Sequence, residues 1–294
     1  MTRWRVADSV LDFPPSLAAG IVNVTEDSFF KGARSETPER AVQDGLALVE
    51  AGFDLLDVGA VAARSGPEVP ADEEAARLVP AVRELAARAG VPVTADTFEP
   101  EVARRALDAG AVAINDISGA ADPRMLDLVA ERGCGYVLMH IEGPPRVDRE
   151  PPGHKDPIAH LLGWFEQRIE SALARGVAEE QIAIDPGLDF DLSVEDDLQI
   201  LGRLGELREL GRPLFMGLSR KDFLGAVLAG SWEDRAPAEE REWATAAASA
   251  LAVAAGAEMV RLHDATALDA LRMAAAICNH RSDVARDPSP VSDG

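Results

Sequence analysis

Polar side chains that can bind a ligand or move a proton recur along this chain directly after short apolar runs. A run of Val, Ile, Leu and Ala that stops abruptly at a polar residue is typical of a buried parallel strand, which delivers functional groups to the loop at its carboxyl end. One such residue is often only a helix cap or an Asx turn. Recurrence at eight ends favours one shared site. The eight ends are Asn23, Asp57, Asp96, Asn115-Asp116, His140, Asp185, Ser219-Arg220-Lys221 and Arg261-x-His263.

The acids and the amide among these residues indicate what the site would bind. Asp96, Asn115 and Asp185 follow apolar runs, so we expect them in a pocket with little water. A carboxylate or an amide is tolerated in such a pocket only when it is hydrogen-bonded. A planar heterocycle with several N–H donors along its edge would supply those hydrogen bonds.

The distribution of charge indicates an anionic ligand. The chain has 51 acidic and 29 basic residues and a formal net charge of −22, which disfavours a nucleic-acid-binding protein. Four cations nevertheless fall just beyond predicted strand ends, namely Arg64, Arg220, Lys221 and Arg261. They predict a local excess of positive charge, for which phosphate or pyrophosphate is the natural ligand. The alternative for each cation is a surface ion pair.

The elements that must position these residues alternate regularly. Eight apolar runs, each followed by a helical stretch, predict a parallel sheet. Eight such units predict a single-domain (β/α)8 barrel over residues 18–280, with its active site at the carboxyl ends of the strands. A doubly wound open sheet is the competing architecture, but the G-x-G-x-x-G sequence that usually follows its first strand is absent. Residues 1–17 are expected to cover one end of the core, and residues 281–294 to form a disordered tail.

Hydropathy and cysteine usage predict where the protein works. No apolar stretch approaches the length needed to cross a membrane, and the amino-terminal residues lack the apolar segment of a signal peptide. Cys134 and Cys278 form no C-x-x-C pair, which fits a reducing compartment. We therefore expect a cytoplasmic protein that acts on small molecules, with no nucleic-acid or membrane partner.

Eight short motifs occur in a fixed order on the predicted strands. The first is Gly20–Phe30, and the second is Leu56-Asp57-Val58-Gly59 followed by Arg64 and Gly66. The later motifs are Ala95–Thr97, Ile114–Gly119, Leu138–His140, Ile184–Gly187, Leu218–Lys221 and Val260–Asp264. In this order the motifs resemble those of the dihydropteroate synthases, the pterin-binding barrels of folate biosynthesis, and the resemblance covers residues 18–279.

The resemblance implies a reaction and its substrates. The family joins 4-aminobenzoate to a dihydropterin that carries a methylene pyrophosphate, and it releases pyrophosphate and 7,8-dihydropteroate. It implies that Asp96, Asn115 and Asp185 bind the pterin edge, and that Ile117 and Met139 form apolar walls. It also implies that Lys221, Arg261 and Asp96 are the catalytic residues.

The same resemblance assigns the remaining substrate contacts. Asn23 and His263 would hold the pyrophosphate together with Mg²⁺, and Asn23 would be the metal ligand. Arg64 is expected among the substrate-binding residues. Ser219 would contact the benzoate carboxylate, and Phe190 would line the benzoate pocket. The first loop, Thr25–Arg34, is expected to close over the site as a lid.

The first, second and sixth strand loops depart from the family pattern, and the first loop lacks the usual D-G-G sequence. Residues 59–66 lack two hydroxyl side chains and one carboxylate that the second loop usually carries. In the loop after strand six, Asp189 and Asp191 replace two glycines, and Leu192 replaces a lysine. Glu142 stands where the family often has arginine. The first loop resembles that of sulfonamide-insensitive relatives, so reduced sulfonamide sensitivity is a hypothesis.

The sequence leaves other interpretations open. The altered loops suit a pterin-binding paralogue with lost or changed activity. A folate-dependent methyl-transfer domain is a further alternative, although the Ser219–Lys221 and Arg261–His263 motifs suit a pyrophosphate, which a methyl-transfer substrate lacks. The Ala-rich helices at 243–255 and 265–276 can pack against a second chain in a homodimer, or against the barrel itself.

Overall fold

A computed structural model describes residues 3–13, 16–24, 37–63, 66, 68–147 and 149–286, the last six of these by their backbone alone. The predicted lid, residues 25–34, and the predicted substrate contact Arg64 therefore lie outside the described residues.

Eight parallel strands form the body of the described chain, and a short antiparallel hairpin precedes them. The hairpin consists of β1 (Trp4–Val6) and β2 (Ser9–Leu11). The parallel strands are β3 (Leu17–Asn23), β4 (Leu55–Gly59), β5 (Val93–Asp96), β6 (Ala113–Asp116), β7 (Gly135–Met139), β8 (Ile182–Asp185), β9 (Phe215–Gly217) and β10 (Met259–Leu262). Their order in the sheet is β8-β7-β6-β5-β4-β3-β10-β9, and a single parallel bridge between Ile184 and Leu214 closes the ring. The predicted (β/α)8 barrel is confirmed.

Helices follow the strands, and local sequence sets where four of them begin. They are α1 (Pro38–Glu50), α2 (Ala71–Arg88), α3 (Pro100–Asp108), α4 (Pro123–Arg132), α5 (Pro157–Ala174), α6 (Val194–Gly202), α7 (Asp222–Ala229), α8 (Glu242–Ala255) and α9 (Thr266–Arg286). Thr37, Asp122, Asp156 and Ser193 accept hydrogen bonds from backbone N–H groups of the first turn, which satisfies donors that a helix start leaves open. No helix in the described part of the chain combines the length and apolar character needed to cross a membrane.

Two helix ends differ from the prediction. The periodicity predicts a sixth helix that begins near Val194 and ends before Gly211, but α6 ends at Gly202 and a 3-10 segment occupies Leu204–Leu210. The last helix continues to Arg286, so the first six residues of the predicted disordered tail are helical. Periodicity indicates these segments correctly, but it does not fix the residue at which a helix stops.

The amino-terminal hairpin lies across the amino end of the barrel. Trp4 and Val6 are buried in one cluster with interior residues of the barrel strands, such as Leu55 and Phe215. The Trp4 indole N–H donates to the backbone carbonyl of Gln181 at 2.8 Å, so the polar atom of this ring is satisfied where it is buried. The expected cover is therefore a β-hairpin whose tryptophan helps to fill the barrel from below.

The interior of the barrel changes from apolar to polar along four of its strands, β4, β6, β8 and β10. Successive interior positions lie two residues apart, because side chains alternate between the two faces of a strand. The apolar layer next to Trp4 contains Leu55, Ala113, Ala183 and Met259. The residues two positions further along the same strands are Asp57, Asn115, Asp185 and Arg261. One end of the barrel is thus an ordinary core, and the carboxyl end is a charged pocket.

Candidate active site at the carboxyl end of the barrel

Four neighbouring strands place polar groups in one row. Strand pairing sets Asn23 beside Gly59, Gly59 beside Asp96, and Asp96 beside Asn115. Gly59 keeps the row open, because a Cβ atom there would lie 3.3 Å from the Cβ of Asp96. Three predicted ligand-binding residues, which are 19 to 92 positions apart in sequence, therefore become lateral neighbours.

Arg261 connects this row to the next layer of side chains inside the barrel, which contains Asp57. Its Nε donates to Asp57 Oδ2 at 2.5 Å and its Nη2 donates to Asp96 Oδ2 at 2.6 Å. Asp57 is fully buried and also accepts from Asn115 Nδ2 at 3.0 Å. Because one guanidinium joins two carboxylates from different strands, its plane has a fixed orientation across the pocket.

Asp57 was predicted at the shared site as one of the eight strand ends, but no contact was assigned to it. In the structure it accepts hydrogen bonds from Arg261, Asn115 and the Thr94 hydroxyl, so it holds two predicted ligand-binding residues in place. The alternation of side chains along β4 could have indicated this role, because Leu55 and Asp57 both point into the barrel interior.

The acceptors of the pocket are only partly satisfied by the protein. Asn115 Oδ1 is buried and has no hydrogen-bond partner among the described residues. Asp185 Oδ1 accepts from the Gly187 N–H at 2.8 Å, while a Cβ atom on Gly217 would lie 3.5 Å from Oδ2. A buried acceptor without a donor is costly, so this set of oxygens fits a ligand that presents several N–H groups.

Burial changes the acidity of these carboxyls. It raises the pKa of Asp185 to about 6, and the cations Lys221 and Arg261 offset this only in part. It also raises the pKa of the Asp96 carboxyl, against the opposing effect of Arg261 and with the help of the nearby Asp57 charge. Burial therefore disfavours the ionised form of these carboxyls, and a ligand with positive charge or N–H donors offsets that free-energy cost.

An apolar wall faces the acceptors. Ile117, Met139 and Ile141 form a buried cluster, against which Phe190 packs. Lys221 Nζ lies 4.3 Å from the centre of the Phe190 ring and donates to the Leu188 carbonyl at 2.9 Å. The predicted contacts Ile117, Met139, Phe190 and Lys221 therefore occur together at the side of the pocket next to β8.

Ser219 and His263 form a second pair at the same end of the barrel. The Ser219 Oγ lies 2.9 Å from His263 Nδ1 and accepts from the His263 backbone N–H at 3.3 Å. Burial lowers the pKa of His263 to about 3, with further lowering by Arg261 and Arg220. The imidazole is neutral at physiological pH, so it offers a hydrogen bond and no charge to an anion.

The predicted excess of positive charge is not found among the described residues. Arg220 donates to Asp264 Oδ2 at 2.5 Å and to the Ala238 carbonyl at 3.1 Å. Arg261 joins two carboxylates, and Lys221 donates to a carbonyl. The ion-pair interpretation therefore holds for Arg220. The reason is that the fold brings Asp264 against Arg220, two strand carboxylates against Arg261, and the Leu188 carbonyl against Lys221.

The loop after β8 explains two departures from the family pattern. Asp189 and Asp191 have backbone φ angles of 72° and 60°, a region that glycine adopts most readily. The Asp189 carboxylate accepts from the backbone N–H groups of Asp222 and Phe223 at 2.6 and 3.0 Å, and so caps α7. Asp191 pairs with Arg149 from the long loop at 141–156. The aspartates thus fasten this loop to its neighbours.

This cap gives a testable difference between two variants. Asp189→Asn and Asp189→Gly both remove the charge, but only glycine removes the acceptor. We expect the glycine variant to be less stable than the asparagine variant by about 1 kcal/mol, since relief of the positive φ offsets part of the lost cap. Urea unfolding of the two variants measures this difference, and equal stabilities would contradict the capping role.

Comparison with known proteins identifies the family to which this chain belongs. A family model described as a pterin binding enzyme matches residues 19–263. A dihydropteroate synthase of Mycobacterium leprae is 41% identical over 278 residues, which cover 90% of this chain and 95% of the relative. The chain belongs to the dihydropteroate synthase family. A second member, from Synechocystis, is 37% identical and is covered over 85% of either chain.

Solved structures of dihydropteroate synthases superpose closely on this chain. The Xanthomonas albilineans enzyme with 4-aminobenzoic acid has a TM-score of 0.84 and 39% identity, with 94% of this chain and 97% of that chain covered. The same enzyme in complex with 7,8-dihydropteroate has a TM-score of 0.79 and 36% identity, over 94% and 98% of the two chains. The dihydropteroate synthase fold is therefore present over nearly the whole chain.

The raised pKa of Asp185 predicts how the stability of this family member changes with pH. The folded state holds a proton between about pH 4 and pH 6, where the unfolded chain has released it, so stability falls as the pH rises through 6. Asp185→Asn removes this loss while its Oδ1 can still accept from Gly187. We expect the variant to exceed the parent by about 2 kcal/mol at pH 8 and by less than about 1 kcal/mol at pH 4.5. Urea unfolding at both pH values measures the difference in stability between variant and parent. Asp12→Asn, at an exposed loop position, is the matched control. A difference between Asp185→Asn and the parent that does not change with pH would contradict the raised pKa of Asp185.

Proposed function

We propose that the carboxyl end of this barrel condenses 4-aminobenzoate with (7,8-dihydropterin-6-yl)methyl diphosphate, and so produces 7,8-dihydropteroate and pyrophosphate for folate biosynthesis. The chain is an enzyme of the dihydropteroate synthase type. The observation that carries the proposal is the set of acceptors on partly buried Asp96 and buried Asn115 and Asp185, in which Asn115 Oδ1 has no protein donor among the described residues. A pterin edge supplies N–H donors in the same plane.

The residues around the pocket have complementary roles in this reaction. Asp96, Asn115 and Asp185 hold the pterin edge, and Ile117 and Met139 pack against its ring. Arg261, whose plane is fixed by Asp57 and Asp96, offers a flat surface on which a heterocycle can stack. Lys221, Ser219 and Phe190 lie towards the second substrate.

The bond changes require a pocket with this electrostatic character. The C–O bond between the pterin methylene and the pyrophosphate breaks, and its electron pair leaves with pyrophosphate. A C–N bond forms between the methylene and the neutral arylamine, which then loses one proton. The positive charge that develops on the pterin methylene is stabilised by the surrounding carboxylates, which are already fixed before reaction.

The chemistry of Asn23, the predicted metal ligand, is compatible with Mg²⁺. Asn23 ends β3 and stands in the same row as Gly59 and Asp96, and its side-chain amide oxygen is the type of ligand that Mg²⁺ prefers. We infer that Asn23 holds the ion together with pyrophosphate oxygens, where it would neutralise charge on the leaving group. Calorimetric titration of pyrophosphate with and without Mg²⁺ tests this, because Asn23→Ala should remove the gain in affinity that Mg²⁺ gives.

Pyrophosphate release measured with each substrate alone and with both together tests the proposed reaction. We expect release that depends on both substrates and formation of dihydropteroate in equal amount. Calorimetric binding of the pterin substrate without any turnover, at saturating 4-aminobenzoate and Mg²⁺, would instead identify a pterin-binding paralogue and overturn the proposal.

An exposed apolar surface on α8 and α9 supports a homodimer. Trp243 is 81% exposed and Leu251 lies on the same face of α8, while Met273 and Ile277 are exposed one turn apart on α9. We infer that a second copy covers these residues. Light scattering should give twice the chain mass, and Trp243→Glu should give the monomer.

We further propose a cytoplasmic location, which fits the free cysteines Cys134 and Cys278.

A further inference from the structure

Three of the five histidines of the chain meet at one carboxylate outside the pterin pocket. His140 directly follows β7, Glu142 lies two residues later, His154 lies near the end of the long loop, and His160 lies in the first turn of α5. The Nε2 atoms of His140, His154 and His160 lie 3.2, 3.3 and 2.7 Å from Glu142 Oε1. This convergence joins a barrel strand, a loop and a helix at one point.

The spacing of these atoms matches a tetrahedral metal site. The Nε2 atoms of His140 and His160 are 3.3 Å apart, so these two nitrogens and Glu142 Oε1 form a triangle with sides of 3.2, 3.3 and 2.7 Å. Ligand atoms about 2.0–2.1 Å from a tetrahedral Zn²⁺ are about 3.3 Å from each other. Two sides already have that length, and the third would lengthen by about 0.6 Å when an ion enters.

We propose that His140, Glu142 and His160 bind one divalent transition-metal ion of the Zn²⁺ type, with water in the fourth position. Two imidazoles and one carboxylate are a donor set that suits Zn²⁺ and related ions. The set is unsuited to Mg²⁺, which prefers oxygen ligands only. The site is thus chemically different from the Asn23 position, and it does not depend on the proposed reaction.

His154 positions the ligands without belonging to the triangle. Its ring stacks on His160 with centroids 4.0 Å apart, and its Nε2 contacts Glu142. The His154 backbone N–H donates to Asp196 Oδ1 at 3.1 Å, which fixes this part of the loop to α6. Neighbours that orient a ligand in this way usually strengthen a metal site.

One feature lowers the expected affinity. The second ring nitrogen of His140, Nδ1, is buried and has no hydrogen-bond partner in the part of the chain that the structure describes. Most metal-bound histidines donate this N–H to an oxygen, and loss of that partner weakens binding by about 10- to 100-fold. We therefore expect a dissociation constant for Zn²⁺ of about 1 µM, weaker than that of most structural zinc sites.

The position of the ion suggests what it does. His140 follows Met139 in the apolar wall, and the long loop that carries Glu142 and His154 also borders a pocket of about 420 Å³, which is lined in part by Ile141, Phe190 and Asp191. A bound ion would fasten this loop to β7 and α5. The metal would then stabilise the loop on the side of the site where the chain departs most from its family.

Titration of the full-length, untagged protein with Zn²⁺ or Co²⁺ tests the site, in a buffer without phosphate and with millimolar Mg²⁺ present. We expect one ion per chain, and for Co²⁺ the visible absorption of a four-coordinate ion with nitrogen and oxygen ligands. His160→Ala should weaken binding by about 100-fold. His160 is partly exposed on a surface helix, so this variant is expected to fold, and Glu142→Gln provides a second test.

His280→Ala is the matched control, because His280 is an exposed histidine on α9 and belongs to no cluster in the described residues. It should bind as tightly as the parent. Three results would overturn the proposal: no saturable binding tighter than about 100 µM, equal binding by the His160→Ala and His280→Ala variants, or competition by Mg²⁺. In each case the three imidazoles would serve only as hydrogen-bond donors to Glu142.

Discussion

Replacement of Arg261 by methionine is expected to destabilise the folded protein by about 3–5 kcal/mol, since it leaves buried Asp57 and partly buried Asp96 without their common partner. Asp57 is fully buried, and Arg261 Nε lies 2.5 Å from it. Removal of one member of a buried ion pair costs more than the pair itself contributes, because the remaining charge cannot be solvated. Urea unfolding of parent and variant measures the change in the free energy of unfolding.

A double variant separates charge from packing. Arg261→Met combined with Asp57→Asn removes both the cation and the carboxylate, so it should recover about half of the loss. Arg272→Met is the matched surface control, because Arg272 is half exposed and lies 3.7 Å from its partner Asp54. It should change stability by less than about 0.5 kcal/mol. If Arg261→Met were as mild as this control, the buried network would not be the support of the site.

Replacement of Lys221 by alanine is expected to lower kcat/KM by about 1,000-fold or more, with little change in stability. The Lys221 ammonium contacts the Phe190 ring and the Leu188 carbonyl, and a Cβ atom on Gly217 would lie 3.9 Å from its Cε. It is therefore the cation placed between the carboxylate of Asp185 and the Phe190 ring. Pyrophosphate release under both-substrate conditions measures the loss.

The chain contains only three lysines, and one of them offers a control. Lys155 is exposed in the loop before α5, so Lys155→Ala removes the same group away from the pocket. Its kcat/KM should stay within about twofold of the parent. A Lys221→Ala variant with parental kcat/KM would exclude Lys221 from the catalytic machinery.

The barrel could be predicted because each strand carries its own local signal. Composition identifies the runs that carry Asp57, Asn115 and Asp185, and in the structure these runs form β4, β6 and β8. The hairpin at Trp4 was not predicted as strand, since three-residue strands lack a readable period. Closure of the sheet at Leu214 is likewise invisible locally, because one bridge depends on tertiary packing.

The individual contacts of the site were harder to predict than its members. The hydrogen bond between Asp57 and Arg261 joins residues 204 positions apart, and the local sequence around either residue does not indicate this pairing. The pairing of Arg220 with Asp264, for the same reason, was left as one alternative. The histidines around Glu142 follow no metal-binding spacing, because the loop after β7 must fold back before His154 and His160 can meet it.

The way the barrel closes determines where the wall of the pocket can open locally. Between β8 and the residues before β9 the ring is held by one bridge, with the Ile184 N–H donating to the Pro213 carbonyl at 2.9 Å. Local opening follows the weakest backbone pairing, so amide hydrogens should exchange faster along this seam than between β3 and β4. Asp185 and Gly217 stand on its two sides. We therefore expect the wall of the pocket that contains Asn115 to resist local opening, and the wall that contains Asp185 to open more readily.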